Sequence, residues 1–243
     1  MRNTDTSYSK QSNQHASNLC QIKNLLMKKE NIPLSPGLID GKMGVAVFFF
    51  HYAEYKKEEK YKEYAISLID DVQNQISSNT PINYVSGLTG IGAAIEYIDQ
   101  QGLIDIDTDK VLSDFDKIFK SLLAERILYL SVNDIIDIGK YFQFRFSYKE
   151  ATPKIKKIME QLAYVLSLHV TIHPKYSPRA VNWLTAFSKK YHSDTITSLL
   201  EKFSDVSLEK LPDNDLYLQM NAFIGLDFLA QLNERHFSWK EII

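Results

Sequence analysis

The chain has 243 residues, 44% apolar and 24% charged, which is enough material for one large soluble domain or two small ones with a sizeable core. Its 28 basic side chains face 30 acidic ones for a formal net charge of −2, so the basic surplus of a nucleic-acid-binding surface is missing. A single cysteine, Cys20, excludes an intramolecular disulfide and a cysteine-rich metal site, and suits a reducing cytoplasm.

The first fourteen residues are polar and contain no apolar core of a secretion signal. No run approaches the roughly 18 continuous apolar residues of a membrane span. The expectation is a soluble, cytoplasmic protein without membrane attachment, in which residues 1–33 form an N-terminal helical segment packed on a single domain of residues 34–243.

One pattern then occurs twice. Residues 36–50 read Pro-Gly-Leu-Ile-Asp-Gly-Lys-Met-Gly-Val-Ala-Val-Phe-Phe-Phe, and residues 86–97 read Ser-Gly-Leu-Thr-Gly-Ile-Gly-Ala-Ala-Ile-Glu-Tyr. Six of the nine glycines (Gly37, Gly41, Gly44, Gly87, Gly90, Gly92) sit in these stretches, each of which runs into an apolar segment, so a repeated helical unit is expected. Residues 45–53 and 91–98 are apolar nearly all round, which requires a helix enclosed by protein on most sides. Between them, Tyr61, Tyr64, Ala65, Leu68, Ile69, Val72 and Ile76 recur at steps of three and four, the mark of a helix with one buried face. The lysine-dense run at 56–60 is interleaved with glutamates and reads as a solvated helix face.

The same period appears at Val111, Leu112, Phe115, Ile118, Phe119, Leu122 and Leu123, behind Asp105, Asp107 and Asp109, whose charges suit a helix N-terminus. Residues 133–142 follow as a third apolar segment. Its Gly139 lies 52 residues beyond Gly87, against 50 between Gly37 and Gly87, and Asp137 stands where it can cap the helix. Ile155, Ile158, Leu162, Val165 and Leu166 mark another one-sided helix, and Thr152-Pro153 and Ser177-Pro178 each supply a capping hydroxyl before a first-turn proline. Leu168 to His173 gives the best strand signal, although it can equally end a helix. Residues 177–191 and 213–232 complete about five helix pairs. An all-α chain of helical hairpins at this period builds a solenoid or a closed ring, and the fully apolar helices favour an α/α toroid with dry inner and amphipathic outer helices.

The glycine motifs carry a resemblance. Gly37-Leu38-Ile39-Asp40-Gly41-Lys42-Met43-Gly44 followed by Phe48-Phe49-Phe50-His51-Tyr52-Ala53, and Ser86-Gly87-Leu88-Thr89-Gly90-Ile91-Gly92 followed by Glu96-Tyr97, resemble the loops of bacterial lanthionine synthetase C-like (LanC-like) proteins. The resemblance covers roughly residues 34–142. It implies an α/α toroid and a cyclase whose zinc ion, held by two cysteines and a histidine, activates a peptide thiol for addition to a dehydrated serine or threonine. Here the one cysteine precedes the first glycine motif, no Trp-Cys or Cys-His-Gly element occurs, and Ala222 and Phe223 stand where a late glycine loop is expected. About five hairpins instead of the family's seven also imply an incomplete ring.

His169 and His173 stand four apart, but Val-Thr-Ile between them contains no glutamate, and a third ligand would have to come from His51, His192, Asp137 or Glu96. Gly37-x-x-x-Gly41-Lys42-Met43 falls one residue short of a P-loop and lacks its hydroxyl, and the second motif has isoleucine at its third glycine position, so no nucleotide is expected. The glycines, Gly139 included, read as packing and turn elements. A carbohydrate-active enzyme in a toroid cavity would use two carboxylates from Asp40, Glu96, Asp99 and Asp137 beside Phe48, Phe50, Tyr52, Tyr97, Tyr141 or Phe142 as platforms. The reading favoured is a pseudoenzyme: a LanC-like protein with no metal or other cofactor that binds a peptide or a peptide-modifying enzyme. Its cavity is lined by Asp40, Lys42, His51, Glu96 and Asp137. A ring short of hairpins exposes apolar flanks, which points to a homodimer or a partner touching residues 237–243, or to that tail closing the gap.

Overall fold

Helices form where the apolar residues recur at three and four. The structure, a computed structural model, describes residues 5–28, 35–147, 149–172, 178–191, 194–201 and 221–232. Among them there is no strand. The expectations for residues 237–243, Ser177, His173, His192, residues 213–220 and the boundary at residue 33 lie outside the described residues. The chain divides into two compact units, residues 1–106 with 215–243, and residues 107–214.

The first unit contains α1 (Asp5–Leu26), α2 (Lys42–Lys56), α3 (Glu59–Gln75), α4 (Leu88–Gln100) and α11 (Asn221–Leu232). Every residue of α2 from Lys42 to Ala53 is buried, as is every residue of α4 from Leu88 to Ile98. Neither has a polar face, so α3, α4 and α11 surround α2. Phe48, Phe49 and Tyr52 meet Tyr61 and Tyr64 of α3 and one another at ring-centroid distances of 4.7–6.3 Å. Phe48 and Phe49, both wholly buried, each contribute about 1.5–3 kcal/mol by leaving water. The outer helix α3 shows the expected one-sided burial, with Tyr61, Ala65, Leu68 and Val72 inward. Helix α1 packs on α11, and α11 comes close to α2 because Gly225 lies against the Phe48 ring, where a side chain would overlap it.

The second unit contains α5 (Thr108–Val111), α6 (Ser113–Arg126), a 3-10 turn (Ile127–Tyr129), α7 (Val132–Arg145), α8 (Pro153–Ile172), α9 (Pro178–Tyr191) and α10 (Asp194–Glu201). The structure departs from the sequence expectation at the helix after residue 105 and at the start of α7, and it decides between the two readings left for residues 168–172. The helix expected over 105–123 is broken at Leu112, whose backbone (φ −92°, ψ 4°) ends α5 and opens α6, and Val111 and Ile118 are exposed. Asp107 does cap α5, accepting from the Lys110 backbone N–H at 3.1 Å. The Leu168 to His173 segment is helical through Ile172, since α8 continues its period to that residue. Asp137 lies inside α7 and is not its cap: α7 starts at a reciprocal cap in which Ser131 Oγ accepts from the Asp134 N–H at 3.1 Å and Asp134 accepts from the Ser131 N–H at 3.3 Å. At α8, Thr152 Oγ1 accepts from the Ile155 N–H at 3.3 Å, as its Thr-Pro signature suggests.

Candidate functional site

The glycine loops set the N-termini of the two dry helices, and their geometry repeats. Gly41 and Gly87 are the residues immediately before α2 and α4, with backbones of φ −139°, ψ −174° and φ −119°, ψ −168°. Lys42 N–H donates to Ser35 O at 2.9 Å, and Leu88 N–H donates to Pro81 O at 2.9 Å. Met43 N–H reaches Gly37 O at 3.1 Å, and Thr89 N–H reaches Ile82 O at 3.2 Å. In both places the preceding loop folds back over the helix start, and its carbonyls take the N–H groups that a helix leaves unsatisfied.

That close approach explains the glycines. A Cβ at Gly41 would overlap the backbone of Gly37 and Ser35, and one at Gly87 would overlap that of Pro81 and Asn83. Gly44 lies against the Leu38 carbonyl, and Gly90 against the Tyr84 carbonyl. The backbone angles at the two cap glycines are extended and open to any residue, so space selects glycine there and conformation does not. The loops also join each other: Ile39 N–H donates to Val85 O at 2.9 Å, and a Cβ on Gly37 would strike Ser86.

The structural register therefore differs from the sequence one. Gly41 corresponds to Gly87 and Gly44 to Gly90, an offset of 46 residues, and the position matching Gly37 is Asn83, whose side chain accepts from the Ser86 N–H at 2.8 Å. The spacing of 50 came from matching two Gly-Leu pairs that play different parts. Gly139 does not continue the series either. It lies within α7, where a Cβ would meet the indole ring of Trp183 on α9.

Asp40 is an exposed turn residue that accepts from Ser35 Oγ at 3.1 Å. Lys42 lies in the first turn of α2 with its stem buried, and its ammonium donates to Asp71 of α3 at 3.1 Å; Asp71 was not singled out from the sequence. His51 and Tyr97 bring α2 and α4 together, Nε2 to OH at 2.8 Å, inside the core. Burial pushes the His51 pKa down to about 3, so the ring is neutral at ordinary pH. Glu96, next to Tyr97, has no exposed surface and accepts from Gln100 Nε2 at 3.2 Å. Gly92 is buried in the same helix.

Asp137 belongs to the second unit, where Arg179 of α9 grips it at 2.9 Å and Asn133 at 2.7 Å. Lys140 is held below its usual pKa by burial and then by the Arg179 charge. Among the described residues the largest fully buried side chain is that of Arg145, which no sequence pattern singles out. It donates to Thr108 O at 3.1 Å and to Asp109 at 2.9 Å, and it lies 3.9 Å from Asp116, which accepts from the Tyr141 hydroxyl at 2.8 Å. Burial and the Asp116 charge push the Tyr141 hydroxyl pKa up. Burial alone would raise the Asp109 carboxyl, but hydrogen bonds from Arg145 and Lys149 outweigh it and leave the group low. An arginine at the end of an amphipathic helix gives no sequence sign that it turns inward; only the acidic residues 107, 109 and 116 hint at a partner.

The zinc implied by the resemblance is not matched by this donor set. Cys20 is exposed on α1, and among the described residues no group of three or more His, Cys, Asp or Glu side chains could hold a metal ion. His169 lies on α8 and is half-buried. Phe48, Phe50, Tyr52, Tyr97, Tyr141 and Phe142, the aromatic platforms considered for sugars, are all almost wholly buried core. The N–H groups at the starts of α2 and α4 are used by the loops, which argues against a phosphate cradle.

Comparison with known proteins gives one family: the model described as lanthionine synthetase C-like protein matches residues 32–167, more than half of the chain. No curated protein and no solved structure matches.

Proposed function

We propose, from the premise that this chain belongs to the lanthionine synthetase C-like family, that it is a non-catalytic, cytoplasmic peptide-binding or accessory protein of modified-peptide biosynthesis. Its all-helical build is consistent with the α/α toroid of that family. The observation that carries the functional part is the donor set. A thiol-activating zinc site needs three protein ligands and an open fourth position. The chain has one cysteine, exposed on α1, and no three-ligand group among the described residues. A carbohydrate-active reading needs a pair of carboxylates facing a substrate, whereas Glu96 is sealed in the core, Asp137 is paired with Arg179, Asp40 accepts from Ser35 Oγ in an exposed turn and Asp99 accepts from the Ile106 N–H at 3.4 Å. No described helix is long and apolar enough to cross a membrane.

Elemental analysis of the purified protein, together with incubation with a linear peptide carrying a cysteine and a dehydroalanine, tests this reading. The expected result is less than stoichiometric zinc, retention of the peptide in a pull-down and no thioether in its mass spectrum after alkylation of free thiols. One tight zinc per chain that is lost on replacing His169 or His173, or enzyme-dependent ring formation, would overturn it.

A further inference from the structure

Helix α8 has two stripes. Ile155, Ile158, Met159, Leu162, Leu166 and Val170 face inward, and α8 packs on α7 and α9. A second stripe at the same spacing of three and four, Lys154, Lys157, Gln161, Tyr164, Leu168 and Ile172, faces outward. Tyr164, Leu168 and Ile172 are 62%, 45% and 68% exposed, an apolar row that water disfavours. The lysines are exposed too, and among the described residues neither they nor neighbouring Lys156 form an ion pair.

The stripe is thus divided along its length, with cations in the N-terminal half and apolar side chains in the C-terminal half. The three lysines sit in the first two turns, where the helix dipole favours carboxylates and repels cations; no acidic residue lies in the first turn, and the exposed Glu160, one turn beyond Lys156 and Lys157, lies beside the stripe and leaves a surplus of cations there. A second copy of α8 does not complement this pattern. Antiparallel pairing sets lysines on the partner's leucine and isoleucine, and parallel pairing sets lysines on lysines. A membrane surface fits poorly as well, because an interfacial helix carries its cations around an apolar face along its whole length.

We propose that this face of α8 docks a segment of a partner protein that is acidic at one end and apolar at the other. From Lys154 to Ile172 the stripe runs about 27 Å at 1.5 Å per residue, the length of one partner helix of about 20 residues. The surface is separate from the residues considered for peptide handling, so the proposal stands independently of the function proposed above.

The test uses fluorescent peptides of about 20 residues with leucines at helical spacing in one half and glutamates in the other, made in both orders, and matched peptides with lysine for glutamate. Full-length protein should bind one glutamate peptide and neither lysine peptide by anisotropy. Lys154→Glu with Lys157→Glu, and separately Leu168→Gln with Ile172→Gln, should each weaken that binding about tenfold or more; thermal unfolding should be unchanged in the glutamine variant and unchanged or slightly raised in the glutamate variant, whose carboxylates suit the helix N-terminus. The doubly charge-reversed protein should gain affinity for a lysine peptide, a result that misfolding cannot produce. Equal binding of glutamate and lysine peptides, binding of neither, or binding to phosphatidylcholine–phosphatidylglycerol vesicles that these substitutions abolish would overturn the proposal. So would a wild-type dimer that they dissociate.

Discussion

Helices α2 and α7 are both largely buried, yet they begin in opposite ways. At α2, as at α4, a loop folds flat over the first turn and satisfies its N–H groups with backbone carbonyls. At α7 two side chains, Ser131 and Asp134, form a reciprocal cap instead. The first solution demands glycine wherever the two backbones touch; the second demands only a capping hydroxyl and a carboxylate. A glycine motif therefore marks a loop laid on a helix start, and its absence before α7 reflects a different cap, not the lack of a buried helix.

Gly90→Ala is the most severe way to break the contrast. Its Cβ would overlap the Tyr84 backbone carbonyl, which cannot rotate aside as a side chain can. The expected loss is about 3 kcal/mol or more in chemical denaturation. Gly139→Ala instead meets the Trp183 ring, with an expected cost of about 1–3 kcal/mol that largely vanishes in a Trp183→Leu background. Equal and unrescuable costs at both sites would mean that α7 also depends on a backbone approach.

The His51–Tyr97 contact between α2 and α4 is the next lever. The native imidazole has its pKa lowered to about 3 by burial, against about 6.5 in the unfolded chain, so the unfolded state takes up a proton that the native state refuses. This stability is complete above about pH 6.5 and declines as pH falls toward 3. Between pH 6 and 4 the wild type should lose about 1.4 kcal/mol per pH unit relative to His51→Gln. Parallel pH profiles for the two proteins would show that His51 is reached by water.

Periodicity was legible wherever a helix keeps one wet face. Tyr61, Ala65, Leu68 and Val72 of α3, and Ile155, Ile158, Leu162 and Leu166 of α8, turn inward as their spacing requires, since nothing but burial decides their direction. The fully buried helices were legible from their lack of any polar face. Register was less so, because Gly-Leu at 37 and 87 looks equivalent while the matching backbone contacts pair Gly41 with Gly87. The break at Leu112 leaves no glycine or proline to announce it. Of the candidate polar residues, His51 and Glu96 lie in one buried neighbourhood with Tyr97, but the partners Asp71, Tyr97 and Arg179 were not foreseen. Such pairings join residues dozens of positions apart, and one sequence carries no signal for them.

The mildest perturbation sharpens the comparison by moving one residue type between the two kinds of helix start. Ser131→Ala removes the hydroxyl that accepts from the Asp134 N–H and should cost about 1 kcal/mol, the usual value of a capping side chain. Placing serine before α2 by Gly41→Ser supplies the same favoured cap, and on capping preference alone it should be neutral or slightly stabilising. Because its Cβ would overlap the Gly37 and Ser35 backbone, destabilisation is expected instead. The two substitutions therefore run against capping preference in only one of the two places. Thermal melts of both variants decide the matter: a stabilised Gly41→Ser protein would show that the loop lifts off α2 without loss, and the glycine motif would then no longer be explained by backbone contact.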